Sequence, residues 1–142
     1  MKLVKHLLDA KGRHIISVTP DTSVLDAIKL MAEKAIGSLV VIDDGELCGI
    51  LSERDYARKV IIKGRSSEST RVSEIMTATV LTTSSAQTVT DCMALMTEKR
   101  IRHLPVLEDN TVIGMISIGD LVQAIIADQQ EEIEQLGQYI SG

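Results

Sequence analysis

The chain has no tryptophan, no phenylalanine and two tyrosines, Tyr56 and Tyr139. A core without large rings has to be built from Ile, Leu, Val, Met and Ala. The same shortage argues against surfaces that stack exposed nucleic-acid bases on Phe or Tyr. Cysteine is nearly as scarce: Cys48 and Cys92 sit inside apolar-periodic segments, with no CxxC spacing and no His cluster. We read both as small buried residues in a reducing compartment. An excess of positive charge is also missing, since 15 Lys and Arg against 20 Asp and Glu leave a formal net charge of −5. Such a chain offers nothing general to phosphate backbones or acidic membranes, so no nucleic acid or membrane partner is expected. Any phosphate contact should be made by a few placed cations. No apolar run approaches the ~20 residues of a membrane span, and no long apolar region or cleavage site follows the basic N-terminal residues. The expectation is a soluble, cytoplasmic protein.

What is present is apolar material and repetition. A chain of 142 residues with 44% hydrophobic content suits one compact domain, or two small units sharing a core. Gly49-Ile50-Leu51-Ser52-Glu53-Arg54-Asp55 returns as Gly114-Met115-Ile116-Ser117-Ile118-Gly119-Asp120, with Asp55 and Asp120 lying 65 residues apart. The offset holds without a gap back to Val24 and Val89.

Val4, Leu7 and Leu8 have helical spacing, and Gly12 ends that helix. Ile15–Val18 reads as a brief strand. Thr22 or Ser23 can cap the next helix, with Asp26 in its first turn and Ile36-Gly37 at its end. Ser38–Ile42 is a buried strand, Asp43-Asp44-Gly45 a turn and Leu47–Leu51 the returning strand. Ser52 can cap a helix from about Glu53 to Ile62. The second half repeats the order, with Val72–Met76 over Val4–Leu8 and Val80-Leu81-Thr82 as its first strand. There Glu108-Asp109-Asn110 forms the turn. Pro105 cannot donate a ladder hydrogen bond, so its strand should begin at an edge or open toward a ligand. Each half is β-α-β-β-α, and two such halves are expected to form one pseudo-symmetric α+β body. The boundaries are 1–63 for the first repeat, 64–71 for a polar linker, 72–127 for the second repeat and 128–142 for a helical extension. That extension has an apolar stripe through Ile133, Leu136 and Ile140, suited either to folding back or to packing on a second protomer.

A serine at a strand end followed three residues later by aspartate has two uses. The serine can cap the helix while the aspartate complements its dipole. Alternatively, the hydroxyl and the free N–H groups hold a phosphate while the carboxylate accepts hydrogen bonds from two ribose hydroxyls. Both readings stay open on the residues alone.

The duplicated motif, with Leu104-Pro105-Val106 in the second half, resembles a tandem pair of CBS domains, the regulatory modules named after cystathionine β-synthase. The resemblance covers Val4 to about Ile126. Ile36–Val41, Arg102–Val106 and the tail Tyr139-Ile140-Ser141-Gly142 are similar to small stand-alone members. It implies two sheets facing each other around two clefts that take AMP, ADP, ATP, NAD(H) or S-adenosylmethionine. It also implies that Asp120 and Asp55 hold ribose, that Ser117 and Ser52 approach phosphate, and that Arg102 and His103 contact phosphate. The base would lie near Thr82–Ser84 or Ser17–Thr19, and near Leu104-Pro105. At the offset of Arg102 and His103 the first half has Gly37 and Ser38. It has Arg54 beside its aspartate, which could serve the neighbouring site with help from Arg58. The alternative is that Arg54, Arg58 and Lys59 form a solvated face pairing with Glu53 or Asp55. The second copy is therefore the expected better site.

No Walker A loop, GxGxxG, HExxH or supported Ser/His/Asp set is present, so no enzyme activity, catalytic residue, catalytic cofactor or metal site is expected. The leading function is an adenine-nucleotide-sensing regulatory module, expected to form a homodimer and to act on a client enzyme the sequence does not name. The alternative is a ligand-independent dimerisation protein.

Overall fold

The computed structural model describes residues 2–141. Met1 and Gly142, the last residue of the tail motif, lie outside the described residues. The elements are α1 (Val4–Lys11), β1 (Ser17–Val18), α2 (Val24–Lys34), β2 (Ser38–Asp43), β3 (Glu46–Ser52) and α3 (Glu53–Tyr56), followed by a π-helical turn at Ala57–Ile61. Then come α4 (Val72–Ile75), β4 (Thr83–Ser84), α5 (Val89–Lys99), β5 (His103–Glu108), β6 (Thr111–Ser117) and α6 (Ile118–Ser141).

The duplication extends to single hydrogen bonds. Ser23 caps α2 by accepting from the Asp26 N–H, and Thr88 caps α5 by accepting from the Asp91 N–H. Both helices stop at a non-glycine residue in the left-handed region, Ala35 (φ 54°) and Arg100 (φ 55°). The first stop comes one residue before Ile36-Gly37, because the Ile36 N–H reaches back to the Met31 carbonyl and closes the helix there. Each half has a three-stranded sheet, ordered β1-β2-β3 and β4-β5-β6. Two-residue turns at Asp44-Gly45 (φ 52° and 81°) and Asp109-Asn110 (φ 50° and 63°) join the hairpins.

Pro105 breaks the symmetry in an informative way. In the first half β1 pairs parallel to β2 as Ser17↔Val40 and Val18↔Val41, and Val40 is the counterpart of Pro105. In the second half the ladder starts one step later, as Thr83↔Val106 and Ser84↔Leu107. Thr82, expected to lie within the strand, would have faced a residue with no N–H to give. The strand is thus Thr83–Ser84 rather than Val80–Thr82. β5 is also the middle strand of its sheet rather than an edge. Its proline is accommodated by the late start of β4.

The chain divides into two compact units that do not follow chain order. One holds Ile15–Leu81 with the Asp109–Thr111 turn, and the other holds the segment up to His14, Thr82–Glu108 and the segment from Val112 onward. Helix α1 thus folds with the second β-α-β-β-α repeat, and α4 folds with the first. In the first repeat's unit the core runs through Val18, Val24, Ala27, Met31, Leu39, Val41, Leu51, Val60, Val72 and Ile75. In the other, Val4, Leu7 and Leu8 of α1 are buried, as are Val89, Met96, Leu104, Val106, Ile116 and Leu121. Both cysteines are free thiols, Cys92 buried and Cys48 half-buried at a bulge in β3. α6 continues unbroken to Ser141 instead of folding back, and residues 131–140 are exposed. No helix among the described residues is long and apolar enough to cross a membrane.

The glycine that opens each repeated motif is where the crossing segment presses closest. A Cβ on Gly114 would sit 2.6 Å from Leu8 Cδ2, and one on Gly49 would sit 2.5 Å from Met76 Sδ and 3.2 Å from the Thr77 carbonyl oxygen. Leu8 is fully buried and has nowhere to retreat. We expect Gly114→Ala to destabilise the protein by about 1–3 kcal/mol. In a Leu8→Ala background the same change should cost much less, and chemical denaturation of the double-mutant cycle measures the difference. Equal costs in both backgrounds would contradict the contact.

Candidate functional site

Around Asp120 the chain gathers side chains from four places. β6 ends at Ser117 and α6 begins at Ile118, whose N–H donates to the Arg102 carbonyl at 2.9 Å. That bond fixes Arg102 and His103, at the start of β5, beside the start of α6. The Ser117 hydroxyl accepts from the Asp120 N–H at 3.2 Å, and the Ser117 N–H donates to Asp120 Oδ2 at 2.8 Å. The helix cap is therefore real. Lys11, the last residue of α1, completes the group: its Nζ lies 2.7 Å from Asp120 Oδ2 and 2.8 Å from the Met115 carbonyl oxygen. Burial works to raise the Asp120 carboxyl, but Lys11 and the Ser117 N–H outweigh it and hold the group below the ordinary aspartate value. Burial lowers His103, and the charges of Lys11 and Arg102 act in the same direction against the opposing pull of Asp120. His103 is accordingly a neutral imidazole near pH 7, able to donate one N–H but not a positive charge. The cations of this cluster are Lys11 and the exposed Arg102.

The first repeat builds the same scaffold and closes it. The Glu53 N–H donates to the Gly37 carbonyl at 3.1 Å, the counterpart of the Ile118–Arg102 bond. Ser38 is buried and pairs with Ser52 across β2 and β3. Ser52 donates to Asp55 Oδ2 from both its N–H (3.0 Å) and its hydroxyl (3.1 Å). Asp55 Oδ1 meets Lys59 Nζ at 3.1 Å and the Thr77 hydroxyl at 3.5 Å. Its side chain is 12% exposed against 23% for Asp120. The pairing of Lys59 with Asp55, weighed above as a feature of a solvated face, thus occurs on a nearly buried carboxylate.

Of the remaining residues, Thr82, Ser84 and Pro105 belong to the unit of Asp120, and Ser17, Thr19, Arg54 and Arg58 to the unit of Asp55. Thr82 precedes β4, Ser84 lies within it, and Pro105 is buried in the middle strand beside that ladder. Ser17 and Thr19 are exposed at β1, with Thr19 bonded to the Thr22 hydroxyl. Arg54, in the first turn of α3, and Arg58, in the π-helical turn, are exposed. Sequence reasoning missed Lys11 because its helix lies in the stretch assigned to the first repeat, residues 1–63, yet folds with the second. The spacing of Gly49 and Gly114 was its only trace, since such a glycine marks a place where another segment comes close.

A family model described as CBS domain matches residues 8–62 and 72–127. A mitochondrial CBS domain-containing protein of Arabidopsis thaliana is 47% identical over 129 residues, covering 87% of this chain and 63% of the relative. This chain thus spans less than two thirds of that relative's length. A solved structure of a putative signal-transduction protein with CBS domains from Burkholderia ambifaria superposes with a TM-score of 0.87 at 56% identity, covering 90% of this chain and 96% of that one. The CBS domain pair of protein MJ0100, solved in complex with 5′-methylthioadenosine and S-adenosyl-L-methionine, is 25% identical with a TM-score of 0.81, covering 90% of this chain and 98% of that one. With its two sheets, its doubled Gly-x-x-Ser-x-x-Asp motif and these matches, the chain belongs to the CBS domain family as a tandem pair of CBS repeats.

Proposed function

We propose that this chain is a regulatory module with no chemistry of its own, binding an adenine nucleotide (AMP, ADP, ATP or NAD(H)) at Ser117–Asp120 and modulating a partner enzyme. The observation that carries the reading is the Asp120 carboxylate. It is ionised, partly open to solvent and set at a helix start beside Ser117, Arg102, His103 and Lys11. A carboxylate suits two vicinal ribose hydroxyls, and helix N–H groups with adjacent cations suit a phosphate. The adenosyl ligands of the MJ0100 pair favour the same ligand class. Asp55, with both oxygens engaged, is the poorer of the two sites. Binding would shift the population of the form that the partner recognises. A cytoplasmic setting belongs to the same proposal, in keeping with two free thiols.

A second reading, self-association, is favoured by α6. Val122, Ile126, Gln129, Ile133, Leu136 and Ile140 recur at alternating intervals of four and three, the seam of a two-stranded coiled coil. Ile133, Leu136 and Ile140 are 67%, 61% and 82% exposed. The occupant that fits is a second copy in parallel register. Every charge on α6 is acidic, but Asp128, Glu131 and Glu134 fall on outer positions, and Glu132 would face Gly137 of the other helix. A like-charge clash is thereby avoided, whereas a basic partner helix would find almost no acid flanking the seam. Regulation and self-association are compatible in one homodimer.

Two measurements test these readings. In thermal denaturation, the bound adenine nucleotide should add about 2.7 kcal/mol at 100 times its dissociation constant. Asp120→Ala should abolish that gain, and its survival would remove Asp120 from the site. Truncation after Asp128 should halve the mass seen by light scattering, and an unchanged mass would refute the α6 seam.

A further inference from the structure

The pairing of Lys11 with Asp120 has a consequence for which ligands the site accepts. Resting on the reading of Asp120 as the ribose carboxylate, we propose that Lys11 is a displaceable counter-ion that selects phosphorylated nucleosides over neutral ones. A carboxylate that grips two vicinal hydroxyls side by side takes one on each oxygen. Here Oδ2 already takes the Ser117 N–H at 2.8 Å and the Lys11 ammonium at 2.7 Å, which fills its two lone pairs. The Ser117 bond belongs to the helix start and stays. Lys11 is the contact that can move, because its side chain is 42% exposed and ends on a flexible four-carbon stem.

Ribose held in that two-oxygen grip moves Lys11 off Oδ2. A neutral nucleoside gives the displaced ammonium nothing in return. A nucleoside 5′-phosphate brings an anion toward the same helix start, where Ser117 and Arg102 lie, and Lys11 exchanges one anionic partner for another. The α1 anchor keeps the ammonium close: Leu8, one turn earlier, is buried against Gly114, and a second bond runs to the Met115 carbonyl oxygen at 2.8 Å. The first repeat has no equivalent, since Lys59 holds Asp55 from within the same helical segment and Thr77 also reaches that carboxylate.

The test is calorimetric titration of AMP and of adenosine into the full chain and into Lys11→Met, Lys11→Arg and Asp120→Asn. Lys11→Met should weaken AMP by about tenfold, the loss of one charge-assisted hydrogen bond, and should tighten adenosine. Lys11→Arg should keep the preference for AMP. An NMR titration of His103 checks that Lys11→Met is folded with its site changed as expected, because losing the ammonium should raise the imidazole pKa. If Lys11→Met changes both ligands equally or changes neither, the inference fails and the ribose assignment stands. If Asp120→Asn leaves adenosine binding untouched, or if neither ligand binds the full chain, the underlying assignment fails and the inference with it.

Discussion

A Cβ on Gly114 would force Leu8 to shift, and much of the site depends on that close crossing. The glycine lets α1 lie directly on β6, so the chain's first helix is built into the unit of its second repeat. Three residues beyond Leu8, Lys11 then comes within hydrogen-bond distance of Asp120. Gly49 plays the same part for Met76 and Thr77, and there the crossing segment brings a hydroxyl to Asp55 instead of a charge. One steric rule, applied twice, produces two different electrostatic environments.

The difference between the aspartates follows from what each crossing delivers. Asp55 is neutralised from inside its own helical segment, bonded on both oxygens and almost sealed from water. Asp120 has its contacts gathered on Oδ2, keeps more exposure and has Arg102 and His103 nearby. A buried, fully bonded carboxylate stabilises the start of a helix, whereas a half-open one can exchange partners at little cost in desolvation. Duplication thus preserved the scaffold, down to the Glu53–Gly37 and Ile118–Arg102 bonds, while the side chains around it came to suit different tasks.

Much of this was legible in the residues themselves. Two copies of Gly-x-x-Ser-x-x-Asp at a constant offset announced the duplication, and the capping preference of Thr22 or Ser23 located the start of α2 to within a residue. Local chemistry was readable because it acts over three or four positions. The late start of β4 was not, since it depends on Pro105 lying across the ladder from Thr82, a pairing known only once the register is known. Lys11 was hidden for a related reason. Nothing within its own stretch sets it apart from other surface lysines, and its role comes from a contact 109 residues away. Whether the helical extension after Asp128 folds back or runs straight on was not legible either, because a stripe through Ile133, Leu136 and Ile140 suits both arrangements.

The proposed working site lies in the second repeat. The most direct measurement follows backbone amide resonances of the full chain as AMP is added. The amides of Ser117 and Asp120, with the His103 ring, should shift first and saturate together, while those of Ser52 and Asp55 lag behind or stay in place. Earlier saturation at Ser52 and Asp55, or no shift at Asp120, would rule out the second repeat as the working site.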